Sequence, residues 1–233
     1  AAFADSGLTY LAIGDSSSQG YYTEGFTEGM HGLGDYSSKN SYPFLFRDFL
    51  AEKNGCDVTF YQYTVQGMRT NELYALLDPE GAAPYLDGYS RIHIANFDKS
   101  FKALYGTDIK TGFQSAVKDA DVITYDLGLN NVGMYLTDRL IAIADGDLGI
   151  YADDSISLIY DQLDKETADA CEKLKTVVSA ALRQLAGDDS EMLEQLVDLF
   201  VYSYASFVLY FDKTIDKIYN ENPDGELLVF GIC

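Results

Sequence analysis

Residues 8–20, Leu8-Thr9-Tyr10-Leu11-Ala12-Ile13-Gly14-Asp15-Ser16-Ser17-Ser18-Gln19-Gly20, decide the fold class, because an apolar run ends in a small residue and turns at once into a Ser/Gly loop. Leu8, Tyr10, Leu11, Ala12 and Ile13 predict a strand. The loop then places hydroxyls at the C-terminal edge of a sheet, where open α/β folds bind ligands. Ser16 is the candidate nucleophile at that edge. Taken alone, Gly14-Asp15-Ser16 equally describes a plain turn, since Asp and Ser bond their own backbone there.

Two later segments repeat the pattern. Val58-Thr59-Phe60-Tyr61-Gln62-Tyr63-Thr64-Val65 is β-branched and aromatic, and it runs through Gln66-Gly67 into a helical pattern with Leu73, Leu76 and Leu77 on one side. Gly67 stands where a backbone N–H can face an open site. Asp121-Val122-Ile123-Thr124-Tyr125-Asp126-Leu127 predicts a third strand, followed by Gly128-Leu129-Asn130-Asn131, whose carboxamide can donate a hydrogen bond. A serine, a glycine N–H and an asparagine amide at the ends of three strands are the parts of an acyl-transfer site. The serine attacks a carbonyl, and the donors hold the charge that develops on its oxygen.

These residues resemble the SGNH hydrolases, also called GDSL esterases and lipases. Gly14-Asp15-Ser16 is similar to that family's first block, with Ser17 in place of the usual leucine. Gly67 resembles the oxyanion glycine of the second block, and Gln62-Tyr63-Thr64-Val65-Gln66 its lead-in, with Gln in place of Asn. Gly128-Leu129-Asn130-Asn131 resembles the third block, with Asn131 replacing an Asp. Asn40-Ser41-Tyr42-Pro43-Phe44-Leu45-Phe46 looks like the start of the family's first helix. The resemblance implies Ser16 as nucleophile, Gly67 and Asn130 as oxyanion donors, and an α/β three-layer sandwich. Its sheet would be flavodoxin-like and mostly parallel, with strand order 2-1-3-4 and a fifth strand absent.

The family's fourth block, an Asp-x-x-His that supplies the base, is missing, and the only histidines are His31 and His93. His93, between two isoleucines in Arg91-Ile92-His93-Ile94, reads as a packed structural residue in a strand or extended segment. His31, in Gly29-Met30-His31-Gly32-Leu33-Gly34, lies in the loop leaving Ser16. As a base it would have to reach the hydroxyl and be oriented by a third group. Pro223-Asp224-Gly225 predicts a turn, and Glu226-Leu227-Leu228-Val229-Phe230-Gly231-Ile232-Cys233 a buried strand on which the sequence stops. The expectation is one domain over residues 1–233, the N-terminal portion of a longer hydrolase, with a C-terminal segment or further domain of the same protein as its partner.

With 47% hydrophobic and 14% aromatic residues, the 233-residue chain can bury a sizeable core. A net charge of −21 argues against nucleic acid and anionic membranes as partners. Ala2-Phe3-Ala4 has the small-x-small form of a signal-peptidase site, so a secreted or bacterial cell-surface protein is expected, although an arbitrary alanine-rich start reads the same way. Cys56, Cys171 and Cys233 describe neither a disulfide framework nor a zinc site. No metal-ligand spacing or phosphate loop occurs in the sequence, and neither a metal nor a cofactor is expected.

About ninety residues separate the third block from the last strand, more than one crossover helix needs. Ile156, Ile159, Leu163, Ala170, Leu174, Val177, Ala181 and Leu185 predict an amphipathic helix, with Gly187 as its C-terminal cap and Asp188 and Glu191 as a capping box for the next. That next helix, from about Ser190 to Tyr219, is apolar on most faces. Asp198 and Asp212 bracket a stretch too short for a membrane span. Residues 134–195 thus form a helical insertion, either a cap over the active-site edge or a docking surface. The 19 tyrosines read mainly as half-buried packing, although Tyr21-Tyr22 can line a carbohydrate or acyl site. Two functions follow from the sequence: a serine esterase acting on small, acyl or carbohydrate-linked esters, or a non-catalytic binding or surface module that keeps the fold.

Overall fold

The computed structural model describes residues 7–133, 137, 159–186 and 190–230. Its four strands, β1 (Leu8–Gly14), β2 (Val58–Thr64), β3 (Val122–Asp126) and β4 (Glu226–Val229), pair in parallel in the order β2-β1-β3-β4. The register sets Leu8 against Val58 and Gly14 against Thr64, and Gly14 against Asp126 on the other side. All three candidate loops therefore leave the sheet at one edge. This is an α/β fold, with the strand order expected from the sequence.

Alternation along β1 divides the core. Leu8, Tyr10 and Ala12 face α1 (Tyr42–Asn54), where Phe46 and Leu50 pack on them. Leu11 and Ile13 face the opposite way, into a larger core with Leu73 and Leu76 of α2 (Thr70–Leu77), Phe97 and Phe101 of α4 (Gly88–Tyr105), and Phe113 and Val117 of α5 (Ile109–Asp119). The short α3 (Pro79–Ala82) lies between α2 and α4. Helices on both faces of the sheet are compatible with a three-layer α/β fold.

Beyond β3, α6 (Lys165–Ala186) packs along α7 (Ser190–Glu221). The C-terminal half of α7 returns to the sheet, with Ile218 in the main core. The expected stripe holds at Ile159, Leu163 and Leu174, and the other packed positions on α6 fall one residue later than expected. Val177 is 65% exposed, and the packed positions are Cys171, Leu174, Val178 and Leu182, with Ile159 buried in the turn before the helix. Cys171 is buried and packs as an apolar residue. Ile156, Gly187, Asp188, Cys233, Ala2-Phe3-Ala4 and most of 134–158 lie outside the described residues. Among the described residues no helix is long and apolar enough to cross a membrane.

Two further expectations are corrected. His93 lies in α4, not in an extended segment: Asp87 caps that helix by accepting from the Ser90 N–H at 2.6 Å. Ile92 is exposed while Ile94 packs against the core, as helical spacing demands. The last strand is not buried. Leu228 and Val229 are 40% and 45% exposed, because among the described residues β4 pairs only with β3 and stands at the edge of the sheet.

Candidate active site

Gly14 lets the chain reverse after β1. A methyl there would overlap the Ser18 side chain, so only glycine permits the turn to fold back over the strand end. The turn is closed by the Gly20 N–H on the Ser17 carbonyl at 3.0 Å and by the Tyr21 N–H on the Ser16 carbonyl at 3.0 Å. Ser16 is half-buried, and its hydroxyl makes no hydrogen bond among the described residues.

Asp15 is buried and organises the turn. Its Oδ1 accepts from the Ser17 N–H at 2.9 Å and from the Ser17 hydroxyl at 2.8 Å, and its Oδ2 accepts from Asn130 Nδ2 at 2.8 Å. Burial raises its pKa against the opposing hydrogen bonds from Ser17, and nearby Asp126 adds to the rise. Asp126 in turn accepts from the Ser18 hydroxyl at 2.9 Å.

Asn130 ties the site together. Besides Asp15, its Nδ2 donates to the Met68 carbonyl at 3.2 Å, so one buried amide bridges the neighbour of Ser16 and the neighbour of Gly67. Both of its N–H groups are engaged. Asn131 accepts from the Thr70 N–H at 3.0 Å and donates to the Thr70 hydroxyl at 3.0 Å, satisfying an orphan donor at the start of α2. Gly67 adopts φ 74°, which favours glycine. Ser16, Gly67 and Asn130 thus meet at one edge, held by residues immediately beside them.

Sequence reasoning missed a buried ionic cluster behind Gly67. Arg69 donates to Glu72 Oε1 at 3.1 Å and to Ser90 Oγ at 2.7 Å and pairs with Asp87 at 3.5 Å. Glu72 Oε2 accepts from the Arg69 N–H at 2.9 Å. Glu72 also bonds His93 Nδ1 at 3.0 Å. The signal available was Arg69-x-x-Glu72 at a helix start, a spacing that lets a carboxylate reach back to the first N–H groups.

His31 sits in a left-handed turn, φ 55°, after Met30 at φ 47°. Its carbonyl is held by Gln19 Nε2 at 2.7 Å and by the Gln66 N–H at 3.3 Å. Its ring packs on Phe97, with centroids 5.2 Å apart, and makes no hydrogen bond among the described residues, so no third group orients it as a base. Burial lowers its pKa, and His93 adds to the effect. The folded state then binds a proton less readily than the unfolded chain. The corresponding stability is full above about pH 6.5 and falls as pH drops below it. Thermal melts at pH 7.5 and 5.5 should show a smaller pH difference for His31→Asn, a residue that tolerates the left-handed turn; equal differences would refute the assignment.

On the α1 side, a groove of about 740 Å³ opens at Asp15 and Ser17 and is walled by Tyr42, Leu45, Phe46, Phe49, Leu129 and Phe230. Its size and apolar walls suit part of a small molecule. Cys56 and Cys171 are free thiols. No family model matches this chain, and no curated protein matches it.

Proposed function

We propose that this chain is a serine ester hydrolase of the SGNH type. The observation that carries the reading is the Asn130 amide bridging Asp15 and Met68, which gathers Ser16, Gly67 and Asn130 from three separate strand ends. In this reading Ser16 Oγ gives its proton to water as it bonds to the carbonyl carbon, and the C=O π pair moves onto oxygen. The N–H groups of Ser16 and Gly67 and the Asn130 amide receive that charge. Asn130 releases its longer bond, to Met68, to do so. The pair returns as the ester C–O bond breaks, the alcohol leaves with a proton from water, and a second water hydrolyses the acyl-serine.

The acyl group enters the groove beside Ser17, whose apolar walls suit a short alkyl chain. His31 is not assigned the serine proton, because its ring has no orienting partner among the described residues. His93 lies on the Gly67 side, where the oxyanion sits.

A second reading, a non-catalytic binding module on the same fold, is favoured by one observation: the Ser16 hydroxyl has no acceptor among the described residues. Fluorophosphonate labelling read by intact mass separates the two. The hydrolase reading expects one adduct on the wild type and none on Ser16→Ala. A wild type that stays unlabelled at millimolar probe would assign the chain to the binding module.

A further inference from the structure

The two histidines of the chain, 62 residues apart in sequence (93 − 31), meet beside Gly67, with ring centroids 6.2 Å apart. Phe97 packs against both, at 3.9 Å from His93 and 5.2 Å from His31. A methyl built on Gly67 would lie 3.1 Å from His93 Cε1 and 3.4 Å from Nε2, so the far side of this ring borders the candidate oxyanion loop. The His93 side chain is 15% exposed, while its Glu72 partner is fully buried.

The hydrogen bonding fixes what His93 offers. Glu72 is paired with Arg69, and an ionised carboxylate only accepts, so His93 Nδ1 carries a proton, and in the neutral ring of that tautomer Nε2 presents a lone pair. A lone pair calls for a donor from the ligand. The net charge of −21 disfavours an anionic group there. His31 is held next to it at some cost, in consecutive left-handed residues stapled by Gln19 and Gln66; strain of this kind persists only where the surroundings enforce it, and it clusters at ligand clamps.

We propose that His93 is a specificity-determining residue. Its Nε2 accepts a hydrogen bond from a hydroxyl on the alcohol part of the ester, so the substrates are acyl esters of polyols or sugars. The inference rests on the hydrolase reading and adds to it the side of the ester opposite the apolar groove. The acyl chain lies toward α1, and the hydroxyl-bearing alcohol lies toward α4.

The test compares glycerol monobutyrate with ethyl butyrate, which share an acyl group and differ in hydroxyls. The ratio of their kcat/KM values should fall about tenfold in His93→Phe, the loss of one neutral hydrogen bond. His93→Gln, which restores an acceptor, should recover part of it. A ratio unchanged in His93→Phe, whether both rates fall or neither does, overturns the proposal and leaves the hydrolase reading standing.

Binding of methyl β-xyloside to Ser16→Ala, followed by NMR titration, gives a readout without chemistry. Saturable binding, weakened about tenfold when His93→Phe is added, supports the subsite even where fluorophosphonate labelling fails. Binding that is absent, or indifferent to His93, overturns it.

Discussion

Asn130→Ala should lower kcat for a Ser16-dependent ester by about 10²- to 10³-fold, the size of effect expected when one side-chain donor is removed from an oxyanion site. The variant also strips Asp15 Oδ2 and the Met68 carbonyl of a shared donor in a buried setting, which should cost roughly 1–3 kcal/mol of stability. The two effects separate by temperature. Rates measured well below the melting point report the loss in the transition state, and the melt reports the bridge. If kcat falls less than tenfold while the melting temperature drops, Asn130 is a structural tie and the charge on the substrate oxygen is held elsewhere. KM is informative too, because a donor used only in the transition state leaves it nearly unchanged.

The three strands that build this site were legible because each carries a run of β-branched and aromatic residues that breaks at a glycine or polar loop. β1 ends at Gly14, β2 at Thr64 and β3 at Asp126, within a residue or so of where the sequence pattern stops. Exposure was not legible in the same way. Leu227-Leu228-Val229-Phe230 has the composition of a buried strand. Whether its faces are covered depends on neighbours far away in sequence, and at the sheet edge those residues stay partly open.

His93 was misplaced for a local reason. A window of four residues shows two isoleucines around a histidine, whereas Ser90, Ile94, Phe97 and Phe101, spaced by four, three and four, show the inward face of a helix. The ionic cluster was hidden for the opposite reason. Arg69 finds Asp87 and Ser90 18 and 21 residues away, a pairing set by how α2 and α4 cross and not by any local pattern.

That cluster gives the largest expected effect on stability. Arg69 is 2% exposed, Glu72 is fully buried and Asp87 is 2% exposed, so the guanidinium neutralises two carboxylates that water cannot reach. Burial disfavours its charge, but the two carboxylates more than offset that and raise its pKa. Arg69→Ala leaves both carboxylates buried without their shared cation and also removes the donor to Ser90 Oγ. Breaking a buried pair in this way costs about 3–5 kcal/mol, which for a chain of this size corresponds to a melting temperature lower by roughly 6–20 °C. Arg69→Lys should recover only part of the loss, since an ammonium lacks the planar fork that reaches Glu72, Asp87 and Ser90 together. Arg69→Met combined with Glu72→Gln and Asp87→Asn removes the charges together and should be less destabilised than Arg69→Ala. If the triple variant melts lower still, the damage comes from lost packing against Tyr89, whose ring lies 4.5 Å from the guanidinium carbon, and not from stranded charge.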